Sequence, residues 1–139
     1  ICDPFLRFWF RYIEGNQGLI DNGMSSVLEH DIAESYATFS GPMLERFFRQ
    51  KLMRTGKYTT VGSWWKQERG AQGDQNEIDI IAIGRDRKSA FVAEVKRQKK
   101  SFREGVFLDK VENLKKSVLA GYKIQTACLT LDDLRTPIL

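Results

Sequence analysis

Two β-prone runs carry charges where an interior strand ordinarily has none: Asn76-Glu77-Ile78-Asp79-Ile80-Ile81-Ala82-Ile83 and Ala90-Phe91-Val92-Ala93-Glu94-Val95-Lys96. Side chains alternate along a strand, so Glu77 and Asp79 are expected on one face, and Glu94 and Lys96 likewise. Burying an unpaired charge is expensive, so carboxylates persist in such runs where something pairs with them. Three carboxylates and a lysine on neighbouring strands read as a divalent-cation site with an ammonium beside it, which suits phosphodiester chemistry.

The chain has 139 residues, enough for one ordinary core and too few for two comfortable ones. Its 42% hydrophobic and 29% charged residues read as soluble and globular. No apolar run approaches the roughly 20 residues of a membrane helix, so no membrane association is expected. Cys2 and Cys128 lack any partner spacing, which indicates neither a disulfide framework nor a zinc site and makes a reducing cytoplasm the expected compartment. There is no signal-peptide pattern and no glycine-rich Walker loop, so this piece is not expected to hydrolyse a nucleotide by itself. It opens in a helix-like segment and stops at Thr136-Pro137-Ile138-Leu139, and so reads as a fragment from the C-terminal part of a larger protein.

The net charge of +4 is unevenly placed. Residues 85–116 hold eleven Lys and Arg against five acids, a local +6, and the remainder carries −2. A positive field beside a carboxylate cluster would draw in a polyanion. The plainer reading is a solvated basic helix face.

Asp3-Pro4 is a good helix opening, followed by Phe5, Leu6, Phe8, Trp9, Phe10, Tyr12 and Ile13 around nearly the whole circumference. A helix this apolar is expected to be buried, against a neighbouring domain if nothing within the chain covers it. Glu14 to Gly18 should end it. Further helices are expected from about Ser26 to Tyr36 and from Ser40-Gly41-Pro42 to Arg54-Thr55-Gly56. Tyr58 to Trp65 reads as a strand and Glu68 to Gln75 as a polar connection. The two charged strands come next, joined by a hairpin loop at Gly84-Arg85-Asp86-Arg87-Lys88. Ser101 to Ala120 reads as a helix with Phe107, Leu108, Val111, Leu114 and Val118 on its apolar face and Gly121 as its cap. Tyr122 to Leu131 is a last strand. Three strands in a meander, a crossover helix and a returning parallel strand make an α/β layer with a mixed sheet.

These motifs resemble a known pattern. Helix-borne Glu45, strand-borne Asp79 and Glu94-Val95-Lys96 are similar to the E…D…(D/E)XK signature of the PD-(D/E)XK nuclease superfamily, over about residues 40–130. The position before the aspartate, nominally proline there, is Ile78 here. A longer pattern resembles the C-terminal region of archaeal and bacterial AAA-type ATPases of unassigned function. It comprises Asp3-Pro4-Phe5-Leu6-Arg7-Phe8-Trp9-Phe10-Arg11, Gly41…Leu44-Glu45, Val61-Gly62-Ser63-Trp64-Trp65, Glu77-Ile78-Asp79-Ile80 and Ala93-Glu94-Val95-Lys96. The resemblance implies a restriction-endonuclease-like core, a central mixed β-sheet flanked by helices, over residues 40–139. Residues 1–39 become a helical extension linking it to an N-terminal ATPase domain.

Under that resemblance Asp79 and Glu94 are the metal ligands, with the Val95 carbonyl a further oxygen and Mg²⁺ the expected ion (Mn²⁺ its substitute). Lys96 would orient a water or steady charge on phosphorus. Its alternative role is a cross-strand ion pair with Asp79. Glu45 is the fourth catalytic candidate; equally, it can form an ordinary helical pair with Arg49. Glu77 is an outer ligand or simply a strand-entry acid. Arg97, Lys99, Lys100 and Arg103 are candidate phosphate-backbone contacts, and Lys110 a weaker candidate for facing the site. Trp64 and Trp65 offer stacking surface for bases, although adjacent strand residues face opposite ways and at least one is expected in the core. The functions implied are Mg²⁺-dependent cleavage of DNA beside an ATPase, or nucleic-acid binding or ATPase regulation without cleavage; the very apolar first helix adds a packing or oligomerisation module, a homodimer included.

Overall fold

The computed structural model describes residues 2–65 and 77–138. The polar connection expected at Glu68–Gln75 lies outside the described residues. The chain divides into two compact units, Ile1–Met43 and Leu44–Leu139.

In the first unit, Asp3 caps helix α1 (Pro4–Phe8) by accepting the Leu6 N–H at 3.0 Å. The chain continues as a π-helical turn over Trp9–Ile13 and a 3-10 turn over Glu14–Asn16, then as α2 (Gln17–Asp21). Among the described residues the apolar run is covered only in part. Tyr12 is buried, but Phe5 is 66% exposed and Leu6, Trp9 and Phe10 are exposed as well. Apolar residues circle the whole helix, and a single packing stripe buries only part of them. That stripe is Phe8 and Tyr12, whose rings meet Phe39 at 6.2 and 5.3 Å, with the Tyr12 hydroxyl 2.8 Å from Ser35 Oγ.

Helix α3 (Ser25–Arg54) replaces the two helices expected from the sequence, with Pro42 in its interior rather than at a start. An interior proline deletes one helical hydrogen bond and crowds the carbonyl four residues back, at a cost of about 3 kcal/mol. The residues on either side offset this through their own packing. Leu28 is buried on the N-terminal side, and Phe48 and Leu52 are fully buried on the other.

The second unit is built on a four-stranded sheet in the order β1 (Tyr58–Trp65), β2 (Glu77–Gly84), β3 (Ser89–Val95), β4 (Lys123–Leu129). The first three strands run antiparallel and β4 lies parallel to β3, as a crossover through helix α4 (Glu104–Lys116) requires. This is the mixed sheet flanked by helices that the sequence predicts. In the β2–β3 hairpin a Cβ on Gly84 would collide with Ser89 Oγ and Asp86 Oδ1, so the turn needs glycine there.

Two cores cover the two faces. Phe48 and Leu52 of α3 pack with Ile80, Ala82, Phe91, Ala93 and Val95. Phe107, Val111 and Leu114 of α4 pack with Ile78, Ala90 and Val92, and half-buried Trp64 joins them. Trp65 faces the other way and is exposed, as alternation demands. Helix α4 is shorter than the expected Ser101–Ala120, with a 3-10 turn at Lys99–Ser101 before it. Leu108 and Val118, expected on its apolar face, are exposed. Leu108 lies about 100° round the helix from Phe107, and Val118 falls beyond the helix end.

The β1–β2 ladder is irregular near Asp79. Ile81 pairs with Gly62, but Ile78 pairs with Trp64, so β2 has one residue more than β1 across this interval. Such a β-bulge breaks strict alternation. Ile78 therefore joins the α4 core and Ile80 the α3 core, although they are two apart. The extra residue lies within Asp79–Ile80, so alternation alone does not set the face of Asp79, and both Asp79 and Glu77 act on Glu45.

Candidate functional site

The last paired residues of the β2–β3 ladder in this direction are Ile80 and Ala93. Carrying the register one residue further sets Asp79 opposite Glu94. Beyond that point a side chain takes over from the backbone: the Val95 N–H donates to Asp79 Oδ2 at 2.7 Å. Val95 thus serves Asp79 through its N–H. On the other side β3 keeps its pairing with β4, and the Lys96 N–H donates to the Leu129 carbonyl at 2.9 Å. The β2–β3 ladder ends where the charges lie.

Lys96 Nζ is 2.7 Å from Glu94 Oε1, with the two side chains 33% and 14% exposed. The lysine's described ion-pair partner is Glu94, not the Asp79 of the alternative raised by the sequence. Burial works against the ammonium, but the Glu94 hydrogen bond and the attraction of Glu94 and Asp79 outweigh it, and its pKa is raised. Asp79 is held above the ordinary carboxylate range, chiefly by burial and further by Glu94, against the opposing pull of the Val95 N–H, Lys96 and Lys110.

Glu45 arrives from α3. Its carboxyl is also raised, first by burial and then by Asp79, with Arg49 and Lys96 opposing. The helical pair with Arg49 exists, at 3.6 Å. By alternation Glu94 belongs to the α4 side of β3, along with Ala90 and Val92, whereas α3 covers the other side. The cluster sits where the ladder ends rather than over its middle, so Glu94 raises Asp79 and Asp79 in turn raises Glu45.

The structure thus brings Glu45, Asp79, Glu94 and Lys96 into one electrostatic cluster. Glu77 is exposed at the β2 entry and adds its charge to the field on Glu45. Arg97 comes next, half-buried, and Lys99, Lys100 and Arg103 are exposed along the turn leading into α4. Lys99 lies over the Phe102 ring at 5.1 Å. Cys128 is the β4 neighbour of Glu94 in register.

Two cations contribute more than their sequence positions suggest. Lys110 is only 9% exposed and donates to the Glu77 carbonyl at 3.0 Å. Its signal was legible, since a lysine three residues from Phe107 and beside Val111 stands on an apolar stripe. Arg49 donates to the Asp79 carbonyl at 3.1 Å as well as pairing with Glu45. A bond to a backbone carbonyl leaves no trace in a sequence.

The fold is α/β, and a cluster of acids and a lysine lies where the β2–β3 ladder ends. The chain belongs to the family DUF234, described as archaea bacterial proteins of unknown function, whose model matches residues 9–108 and so takes in every residue of the cluster. An uncharacterized protein of Methanocaldococcus jannaschii is 32% identical over 103 residues, covering 69% of this chain and 21% of that protein. The chain therefore spans about a fifth of that relative's length. No solved structure matches the chain.

Proposed function

We propose that the Leu44–Leu139 unit is a PD-(D/E)XK-type nuclease domain that cleaves phosphodiester bonds in DNA with Mg²⁺. The observation that carries this reading is the meeting of Asp79, Glu94 and Lys96 where β2 and β3 part, with Glu45 coupled to them. Asp79 and Glu94 would hold the ion, and their state fits one. The described bonds engage one oxygen of each, Asp79 Oδ2 and Glu94 Oε1. The Asp79 and Glu45 carboxyls are raised chiefly by burial, and a bound cation would favour their ionised forms. Among the described residues no group of three or more His, Cys, Asp or Glu forms a ready metal cage. Two carboxylates suffice for Mg²⁺, which keeps several waters and takes substrate phosphate oxygens besides. When bound, the ion supplies polarisation of the phosphate and an acidified water.

The chain's own residues do the rest. Lys96 remains an ammonium at neutral pH and offers its charge to the phosphate as negative charge accumulates on its oxygens. Glu45 holds a proton more readily than an ordinary carboxyl and is suited to bonding a water at the cluster's edge. Arg97, Lys99, Lys100 and Arg103 contribute backbone affinity without sequence choice. In the longer protein the partner would be an N-terminal ATPase domain, in a cytoplasmic setting, with a second copy of the chain a further candidate. Among the described residues no helix is long and apolar enough to cross a membrane.

The 2.7 Å Lys96–Glu94 pair favours one other reading: the ammonium permanently fills the cation position, and the domain binds nucleic acid or regulates its ATPase without cutting. Nicking of single-stranded and branched DNA by the purified protein in Mg²⁺ and Mn²⁺ separates the two. Cleavage should require the metal and fall about 100-fold or more in Asp79→Ala and in Lys96→Ala. Nicking that survives both substitutions contradicts the proposal. DNA binding without any metal-dependent nicking transfers the case to the second reading.

A further inference from the structure

We propose that Arg49 and Lys110 are positioning residues that clamp the bulged end of β2 from its two sides and thereby fix Asp79 beside Glu94 and Lys96. The inference rests on the proposed metal site and concerns how that site is held in shape.

Where a strand leaves its ladder, its carbonyls lose their partners. At the end of β2 two such carbonyls are met by cations from different helices: Glu77 by Lys110 Nζ of α4 at 3.0 Å, and Asp79 by Arg49 Nη1 of α3 at 3.1 Å. Water would satisfy an exposed carbonyl at little cost. Lys110 is nearly buried, and burying a lysine is expensive unless its ammonium is bonded. Charge-assisted bonds of this kind are the stronger ones, and they gain strength where water is excluded. The third anchor is the Val95 N–H on Asp79 Oδ2. Asp79 is therefore held at its own carbonyl, at the carbonyl two residues earlier and at its carboxylate. Arg49 also reaches the Glu45 carboxylate at 3.6 Å, so one guanidinium links the helix acid to the strand acid. Neither cation needs to touch the substrate for this role.

Amide hydrogen exchange of the whole chain tests the clamp, read at Val95 in wild type, Lys110→Met and Arg49→Met. Methionine keeps most of the apolar stem and removes the charge and the donor. The expected result is exchange about tenfold faster at Val95 in each variant, with the amides of Phe91 and Val92 unchanged. Arg49 is partly exposed, so Arg49→Met supplies the test if Lys110→Met does not fold. Val95 protection that stays at the wild-type level, or acceleration shared equally by all the strand amides, overturns the inference. The readout needs neither metal nor cleavage. A wild type that does not nick DNA while Val95 responds as expected would count against the nuclease reading alone.

Discussion

Burial and neighbouring acids raise the Asp79 and Glu45 carboxyls above the ordinary carboxylate range, which makes their ionisation a cost to the fold at neutral pH. The sign comes from proton linkage. Between the ordinary range and the higher native values the folded state binds more protons than the unfolded one, so stability falls as pH rises through that window. Asp79→Asn removes the charge and keeps an oxygen for the Val95 N–H. It should stabilise the protein at pH 7 by about 1 kcal/mol, a rise in Tm of roughly 2–8 °C, with the gain fading as the pH drops below the carboxylate range. Thermal unfolding across pH measures it. A variant less stable than wild type at pH 7 would show that Asp79 serves the fold. At this scale Asp79, Glu94 and Lys96 were legible because charge two residues apart in an apolar run is conspicuous. The role of Arg49 was less so, because backbone carbonyls accept from any suitably placed cation.

Among the elements, β1 to β4 and the hairpin were readable from alternation and turn residues, which act locally. The helices were harder where a decision belonged to packing. Ser40-Gly41-Pro42 looks like a start because proline suits a first turn, yet α3 runs through it, with buried Leu28 before and Phe48 and Leu52 after. The bulge at Asp79 depends on how β1 and β2 match in length, which neither strand specifies alone. Helix α4 gives a sharp check, because its sequence stripe claims both Phe107 and Leu108, while the structure buries the first and exposes the second. Phe107→Ala should cost about 3–5 kcal/mol and Leu108→Ala under about 1 kcal/mol, read from urea unfolding midpoints at constant slope. Equal costs would mean that α4 packs with a different face.

At the scale of the whole molecule, the mixed sheet and its crossover were legible because right-handed, short connections leave few alternatives once the elements are known. The uneven charge was legible too, and the basic residues 97–103 do come directly after the cluster in the chain. Less legible was how the N-terminal aromatic residues are disposed, since covering a helix depends on what lies beside it. The nuclease reading stands or falls on whether the acids at the β2–β3 split take a divalent ion. Titration of the whole chain with Mn²⁺, monitored by electron paramagnetic resonance, measures this in wild type, Asp79→Asn and Glu94→Gln. One saturable Mn²⁺ per chain is expected, displaced by Mg²⁺ and weakened about tenfold or more in each variant. No saturable ion at millimolar Mn²⁺, or binding that both substitutions leave unchanged, would contradict it.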